Sequence, residues 1–202
     1  ELIGERAEEL RRELAEWCVR ELRGGKLFPD RVLVAVMERA GMRTEALSEF
    51  RRLLTYELDC GNTERAAELE RDPLLEPREG DHVELRRYAE VIRYASRMRR
   101  HLMQSEIEEA ERYSNRSPDA GDHGEHVGDV SLQHGRLLLM RGRLADAQRP
   151  IKRAIMAYQD VRAEDAAARA QLEFGLVLLG RERLSDARDY FLLVQSGDSV
   201  GE

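Results

Sequence analysis

Apolar residues in the first part of the chain recur at alternating spacings of four and three. The series runs through Ile3, Ala7, Leu10, Leu14 and Trp17, between Glu and Arg residues. This period places the apolar side chains on one stripe of an α-helix. The sequence therefore predicts an amphipathic first helix. Its stripe either packs onto the following helices or forms the seam of a homodimer.

Glycine and proline divide the next stretch into three further helices. A Gly-Gly pair ends the first helix, and Pro29 with Asp30 marks the start of a second that runs through VLVAVMERA. Gly41 precedes a third helix and Gly61 follows it, before a short helix over about residues 63–70. The pattern of this part of the chain is therefore helical throughout.

The segment RDPLLEPREGDH, residues 71–82, interrupts the helical pattern with two prolines and a glycine. It predicts a boundary between an N-terminal subdomain, residues 1–75, and a set of helical hairpins, residues 83–195. Asp81 with Glu84 and Ser105 with Glu108 resemble capping boxes, so helices are expected to begin near 82 and 106. The tail 196–202 lacks apolar anchors and is predicted to be disordered.

A duplication occupies the C-terminal third of the chain. Residues 132–147 read LQHGRLLLMRGRLADA and residues 172–187 read LEFGLVLLGRERLSDA, with nine of sixteen positions identical. Gly135 and Gly175 fall inside helices, where glycine costs about 1 kcal/mol unless a close approach requires it. Ile151 and Phe191 are expected to fill the gap beside the small residues. The period predicts stacked helical hairpins.

The order of small and large residues in each copy resembles the tetratricopeptide repeat family. Gly135, Ala147, Ile151 and Ala154 match one repeat, and the second copy matches through Gly175, Ala187, Phe191 and Val194. The resemblance implies an all-α fold of about ten helices, with antiparallel hairpins stacked in a right-handed solenoid. Two features depart from the family: the period is forty residues, and Pro150 predicts a bent or late-starting helix.

The N-terminal half has a second resemblance. The stretch VMERAGMRTEALSEFRRLLTYEL is similar to the helical domain of bacterial transcriptional activators of the antibiotic regulatory type. This resemblance implies the regulatory part of a larger bacterial or archaeal protein.

Composition and charge exclude further classes of protein. Charged residues make up 36% of the chain, aromatic residues 5%, and the net charge is −7, so direct binding of nucleic acid is not expected. No apolar run is long enough for a membrane span. Cys18 and Cys60 are far apart and form no CxxC pair, which favours a cytoplasmic protein.

In the resembled family, first-helix side chains line a concave binding groove. That resemblance implies a protein or peptide partner bound through Asp129, Gln133 and Arg136 of one hairpin and Arg169 and Glu173 of the next. Leu139 and Leu176 fall at the same kind of position. The sequence holds none of the common nucleotide-binding or hydrolase motifs, so a non-catalytic interaction module without a cofactor is expected.

The alternative hypothesis is a metal-dependent helical enzyme or a metal sensor. It rests on the segment DHGEHVGD, in which His123 and His126 lie among acidic residues suitable for a divalent ion. The same residue types also cap helix starts, and no HExxH spacing is present. A stripe of arginines at 86, 93, 97 and 100 is expected to be an ion-paired surface rather than an anion site.

Overall fold

A computed structural model describes residues 2–23, 30–118 and 124–196. These residues form ten α-helices and contain no β-strand. The helices are α1 (Leu2–Arg23), α2 (Arg31–Arg39), α3 (Arg43–Asp59), α4 (Thr63–Leu69), α5 (Val83–Met103), α6 (Ile107–Ser114), α7 (Glu125–Met140), α8 (Leu144–Asp160), α9 (Glu164–Gly180) and α10 (Leu184–Ser196). The all-α prediction is confirmed. Residues 197–202, nearly all of the predicted tail, lie outside the described residues.

Six of the connections between helices have the same three-residue turn. In each turn the middle residue has a positive φ, and the N–H of the third residue donates to the carbonyl oxygen five residues earlier. This arrangement is the Schellman motif of helix C-termini. Glycine favours this conformation, but half of the middle residues are not glycine. The middle residues are Gly41, Gly61, Ser105, Gly142, Arg162 and Glu182. Hairpins are therefore the recurring local unit.

The chain divides into two compact units, residues 1–89 and 90–202, with the division inside α5. In the first unit, Asp30 accepts a hydrogen bond from Val32 N and caps α2, as predicted. The contact face of α1 differs from its apolar stripe, because Ala15 and Cys18 are the buried side chains. Leu10, Leu14 and Trp17 are about half exposed, so the chain covers this stripe only in part.

The segment 71–82 is held against the rest of the first unit by two Arg–Asp pairs. Arg31 donates to both carboxylate oxygens of Asp72, at 2.6 and 2.9 Å, and Arg43 donates to both oxygens of Asp81, at 2.9 and 3.0 Å. Burial raises the pKa of Asp81, but hydrogen bonds from Arg43 and from Arg78 N outweigh it and hold the pKa below 3.8. Because this carboxylate is engaged by Arg43, the capping-box interpretation of Asp81 is wrong.

The second capping box is also wrong, although the helix starts close to the expected residue. Ser105 adopts a positive φ of 58° as the middle residue of a turn, and α6 begins at Ile107 without a side-chain cap. The turn itself supplies the backbone hydrogen bonds, with Glu106 N donating to His101 O. The side-chain cap is therefore not needed to begin α6.

In the second unit three glycines of α7 and α9 face large side chains of the next helix. A Cβ on Gly175 would lie 2.5 Å from Phe191 Cε1, and one on Gly135 would overlap Ile151 Cγ1. A Cβ on Gly128 would meet the Tyr158 ring at 2.5–2.7 Å. Real Cβ contacts do not come this close, so an alanine at any of these positions would force the facing side chain to shift. The predicted close approach beside Gly135 and Gly175 is confirmed.

Pro150 lies inside α8, which is continuous from Leu144 to Asp160. The predicted late start of this helix is therefore wrong. Proline removes one backbone donor, but Ala147 and Ile151 on either side are completely buried. Packing of this face against the core stabilises the first turns of α8 despite the lost hydrogen bond.

Candidate functional site

The residues predicted to bind a partner lie on α7 and α9, the first helices of the two duplicated hairpins. On α7, Asp129 Oδ1 accepts a hydrogen bond of 2.8 Å from the hydroxyl of Tyr158. Gln133 is buried, and its Oε1 lies 3.5 Å from Arg136 Nη1. Asp129 and Gln133 thus contact side chains of their own chain.

Arg136 and Glu173 are brought together across the two hairpins. Arg136 Nε donates to Glu173 Oε1 at 2.7 Å, and both side chains are about four-fifths buried. A charge-assisted hydrogen bond of this kind, shielded from water, fixes the position of α7 against α9. Arg169 lies about one turn before Glu173 and is partly buried. The two α9 residues therefore lie beside one another on the helix surface.

Next to these charged residues, α9 carries a stripe of exposed leucines. Leu172, Leu176 and Leu179 are spaced by four and three residues and are 41%, 45% and 46% exposed. This spacing places them on one face of the helix. Arg169 precedes Leu172 by three residues, and Glu173 precedes Leu176 by three, so both charged residues border the stripe. The resulting surface is apolar along its centre and charged along its edge.

The duplication shows that this face is normally a packing face. Leu132, the counterpart of Leu172, is only 5% exposed and belongs to the core cluster of the second unit. Leu139 and Leu144, the counterparts of Leu179 and Leu184, also pack against that cluster. Leu172, Leu179 and Leu184 are exposed, and no helix among the described residues covers them. The last hairpin therefore presents to solvent a face that the preceding hairpin buries.

Leu176 was predicted from the sequence as a groove position, but Leu172 and Leu179 were not. The signal was present in the duplication, because identical leucines at both positions imply the same need for cover. The apolar residues of α9 also lie around the whole helix rather than on one side, with Ala167, Phe174 and Leu178 buried in addition to the exposed stripe. A helix of this kind is suited to packing on more than one face.

The predicted metal ligands fall at the start of α7. His123 lies outside the described residues, and His126 is partly buried in the first turn of the helix. A Cβ on Gly124 would lie 2.8 Å from His126 Cε1, so the imidazole folds back over the helix start. Among the residues the structure describes, no three His, Cys, Asp or Glu side chains are grouped for a metal ion.

The α5 arginines make contacts within the second unit. Arg97 donates to the hydroxyl of Tyr113 at 2.6 Å and lies over its ring, 5.6 Å from the centroid. Arg100 Nη1 donates to Oε1 of Gln104, which directly follows α5, at 3.3 Å. Arg97 therefore contributes to packing at the α5–α6 hairpin. Both contacts are with neutral side chains, and the ion-paired surface stays a prediction.

Comparison with protein-family models, with curated protein sequences and with solved structures gives no significant match for this chain. In the part of the chain that is described, none of the helices has the length and apolar character needed to cross a membrane.

Proposed function

We propose that this chain is a non-catalytic helical-repeat module that binds a protein or peptide through the surface of α7 and α9. We further propose that its hairpins stack in the right-handed manner of tetratricopeptide repeats. In this proposal the module is a regulatory or scaffolding part of a larger bacterial or archaeal cytoplasmic protein.

One observation carries the proposal: three leucines of α9 are exposed, although the counterparts of two of them, Leu132 and Leu139, pack in the core of the second unit. Monomeric proteins rarely leave contiguous apolar surface open without a use, and such surface bordered by charge is typical of protein–protein contacts. The stripe of Leu172, Leu176 and Leu179 spans about 10 Å along the helix, at about 1.5 Å per residue. A helix or short peptide of the partner matches that length.

The polar residues predicted from the family resemblance have different parts in this proposal. Arg169 and Glu173 border the leucines and are placed to contact polar groups of the ligand. The Arg136–Glu173 pair keeps α7 and α9 at a fixed separation. Asp129 and Gln133 act by positioning the helices, because their polar groups contact Tyr158 and Arg136 of the same chain.

Co-purification from the cell that makes the protein tests this function. The tagged wild type, Leu176→Glu and the control Met156→Glu are compared, because Met156 on α8 is 64% exposed and lies outside the stripe. We expect protein partners that are retained by the wild type and the control and lost by Leu176→Glu. Arg169→Glu is expected to weaken the same partners.

The proposal is wrong if all variants retain the same proteins, or if none retains any protein above an untagged control. Circular dichroism establishes that each variant keeps its helix content. A surface substitution of this kind is expected to change stability by no more than about 0.5 kcal/mol, so lost binding is not a result of unfolding.

A further inference from the structure

The first of the duplicated hairpins shows what kind of element covers the face that carries the leucine stripe. Gly128 near the start of α7 lies against Tyr158 near the end of α8, and Gly180 at the end of α9 lies against Leu144 at the start of α8. Both α7 and α9 are therefore antiparallel to α8, so the covering helix α9 runs in the same direction as α7. An element that continues this stack beyond the last hairpin is a helix parallel to α9.

The side of α9 that covers the first hairpin consists mainly of small residues. Its members follow one another at spacings of four, three, four and three, on one side of the helix, and are Ala166, Ala170, Glu173, Val177 and Gly180. Ala170 and Val177 are completely buried, and Ala166 packs against the same core. Small side chains in this series thus let α9 approach the first hairpin closely.

The last hairpin keeps the leucines of the receiving face but lacks its arginine. Arg136, which binds Glu173 of the covering helix, has Leu176 as its counterpart forty residues later. A glutamate of an occupant in the place of Glu173 would lie opposite a leucine, and burial of a carboxylate without a cation is costly. The occupant of the last hairpin is therefore expected to have an apolar residue at that place.

The far end of the occupant follows from a contact at the start of α8. Leu144 is the first residue of α8, and a Cβ on Gly180 would lie 2.9 Å from its Cδ1. Its counterpart Leu184 is the first residue of α10 and is 64% exposed. Seven residues separate Glu173 from Gly180, so a small residue is expected seven places after the apolar one.

We propose that the α9 stripe binds a helix of a partner protein that runs parallel to α9 and packs through a specific series of side chains. The series is small, small, large apolar, apolar and small, at spacings of four, three, four and three. This inference rests on the proposed function, since it gives the chemistry of the partner of the same surface. The large apolar residue packs on Leu176, and the last small residue packs on Leu184.

Two peptides that differ at one residue test this chemistry. Both copy residues 163–181 and carry Leu172→Gln, Leu176→Gln and Leu179→Gln, so that only the covering side is apolar. Both are stapled on the side away from that series, because a free helix of this length is marginal in water. The Glu peptide keeps Glu173, and the Leu peptide carries Glu173→Leu. Circular dichroism establishes that their helix contents are equal.

The wild-type chain, Leu176→Arg and the control Met156→Glu are titrated with each peptide and followed by the amide signals in NMR spectra. We expect the wild type and the control to bind the Leu peptide with a dissociation constant of about 0.1 mM, in the range of small transient contacts. The Glu peptide is expected to bind them at least about tenfold more weakly, because its carboxylate is unpaired. Leu176→Arg supplies the arginine of the first hairpin at a side chain that is 45% exposed, and it is expected to prefer the Glu peptide.

Reversal of the preference supports the inference, because a general attraction to leucine would favour the Leu peptide with both proteins. The inference is overturned if the Leu peptide at about 2 mM shifts no signals of α9, or if Leu176→Arg prefers the same peptide as the wild type. A wild type that prefers the Glu peptide, or that binds both equally, overturns it without any variant. The co-purification experiment is independent of these peptides. If Leu176→Glu loses its partners there although neither peptide binds, the proposed function stands and only the chemistry of the occupant is wrong.

Discussion

Replacing Gly128 with alanine tests the close packing of α7 against α8. The added Cβ would lie 2.5–2.7 Å from three atoms of the Tyr158 ring, about 1 Å inside ordinary contact. The ring is 2% exposed and its hydroxyl is bound to Asp129, so it has little room to move. Overpacking of this kind costs about 1–3 kcal/mol, and loss of the hydroxyl bond adds about 1 kcal/mol. The better helix propensity of alanine returns about 1 kcal/mol. We expect a net loss of about 2 kcal/mol.

Chemical denaturation followed by circular dichroism measures this loss, with thermal melting as a second assay. For a chain of this size, 2 kcal/mol corresponds to a fall in Tm of about 4–8 °C. Gly180→Ala is the matched control, because its Cβ would meet only the flexible end of the partly exposed Leu144, at 2.9 Å or more. That variant is expected to stay within about 0.5 kcal/mol of the wild type. If Gly128→Ala is as stable as the wild type, the close approach of α7 to Tyr158 is wrong.

Three further substitutions test other parts of the fold. Pro150→Ala restores a backbone N–H that can donate to Asp146 O inside the continuous α8. Denaturation is therefore expected to show a rise of about 1–3 kcal/mol in the free energy of unfolding. A fall in the free energy of unfolding would contradict the continuity of α8. Glu182→Gly relieves the strain of a non-glycine residue at a positive φ of 60°, and we expect the free energy of unfolding to rise by about 0.5–1 kcal/mol. No rise would show that residue 182 does not have this backbone conformation. Because the folded pKa of Asp81 lies below 3.8, its pairing with Arg43 stabilises the fold above that pH and is lost as the pH falls through the folded value. Asp81→Asn is therefore expected to lower stability at pH 7 by about 1–3 kcal/mol and to flatten the acid dependence of the unfolding free energy below about pH 4, whereas an unchanged acid profile would refute the pair.

Local signals in the sequence were sufficient for the helices and for the glycine contacts. Helix starts and ends followed from apolar period and from glycine at turns, and Gly175 was recognisable because glycine inside a helix is costly without a packing reason. Turns whose middle residue is Arg162 or Glu182 carry no such signal, since the conformation there is imposed by the backbone hydrogen bonds of the hairpin.

Contacts between distant residues could not be predicted. Arg136 and Glu173 are 37 residues apart, and nothing in their local sequence indicates that they form a pair. On α1 the period identified an apolar stripe but not its use, because the smaller Ala15 and Cys18 permit the closer helix contact. The duplicated leucines of α9 indicated a need for cover, but the structure was required to show that Leu172 lacks the cover that its counterpart Leu132 has.

Photo-crosslinking in the living cell tests most directly whether the α9 stripe is a binding surface. A benzophenone amino acid is placed at position 176, within the stripe, and in a second protein at position 156, which is more exposed but lies on α8. We expect covalent protein adducts from position 176 and none above background from position 156, and we expect Leu172→Glu to remove the adducts. Equal adducts from both positions, or none from position 176, would contradict this expectation.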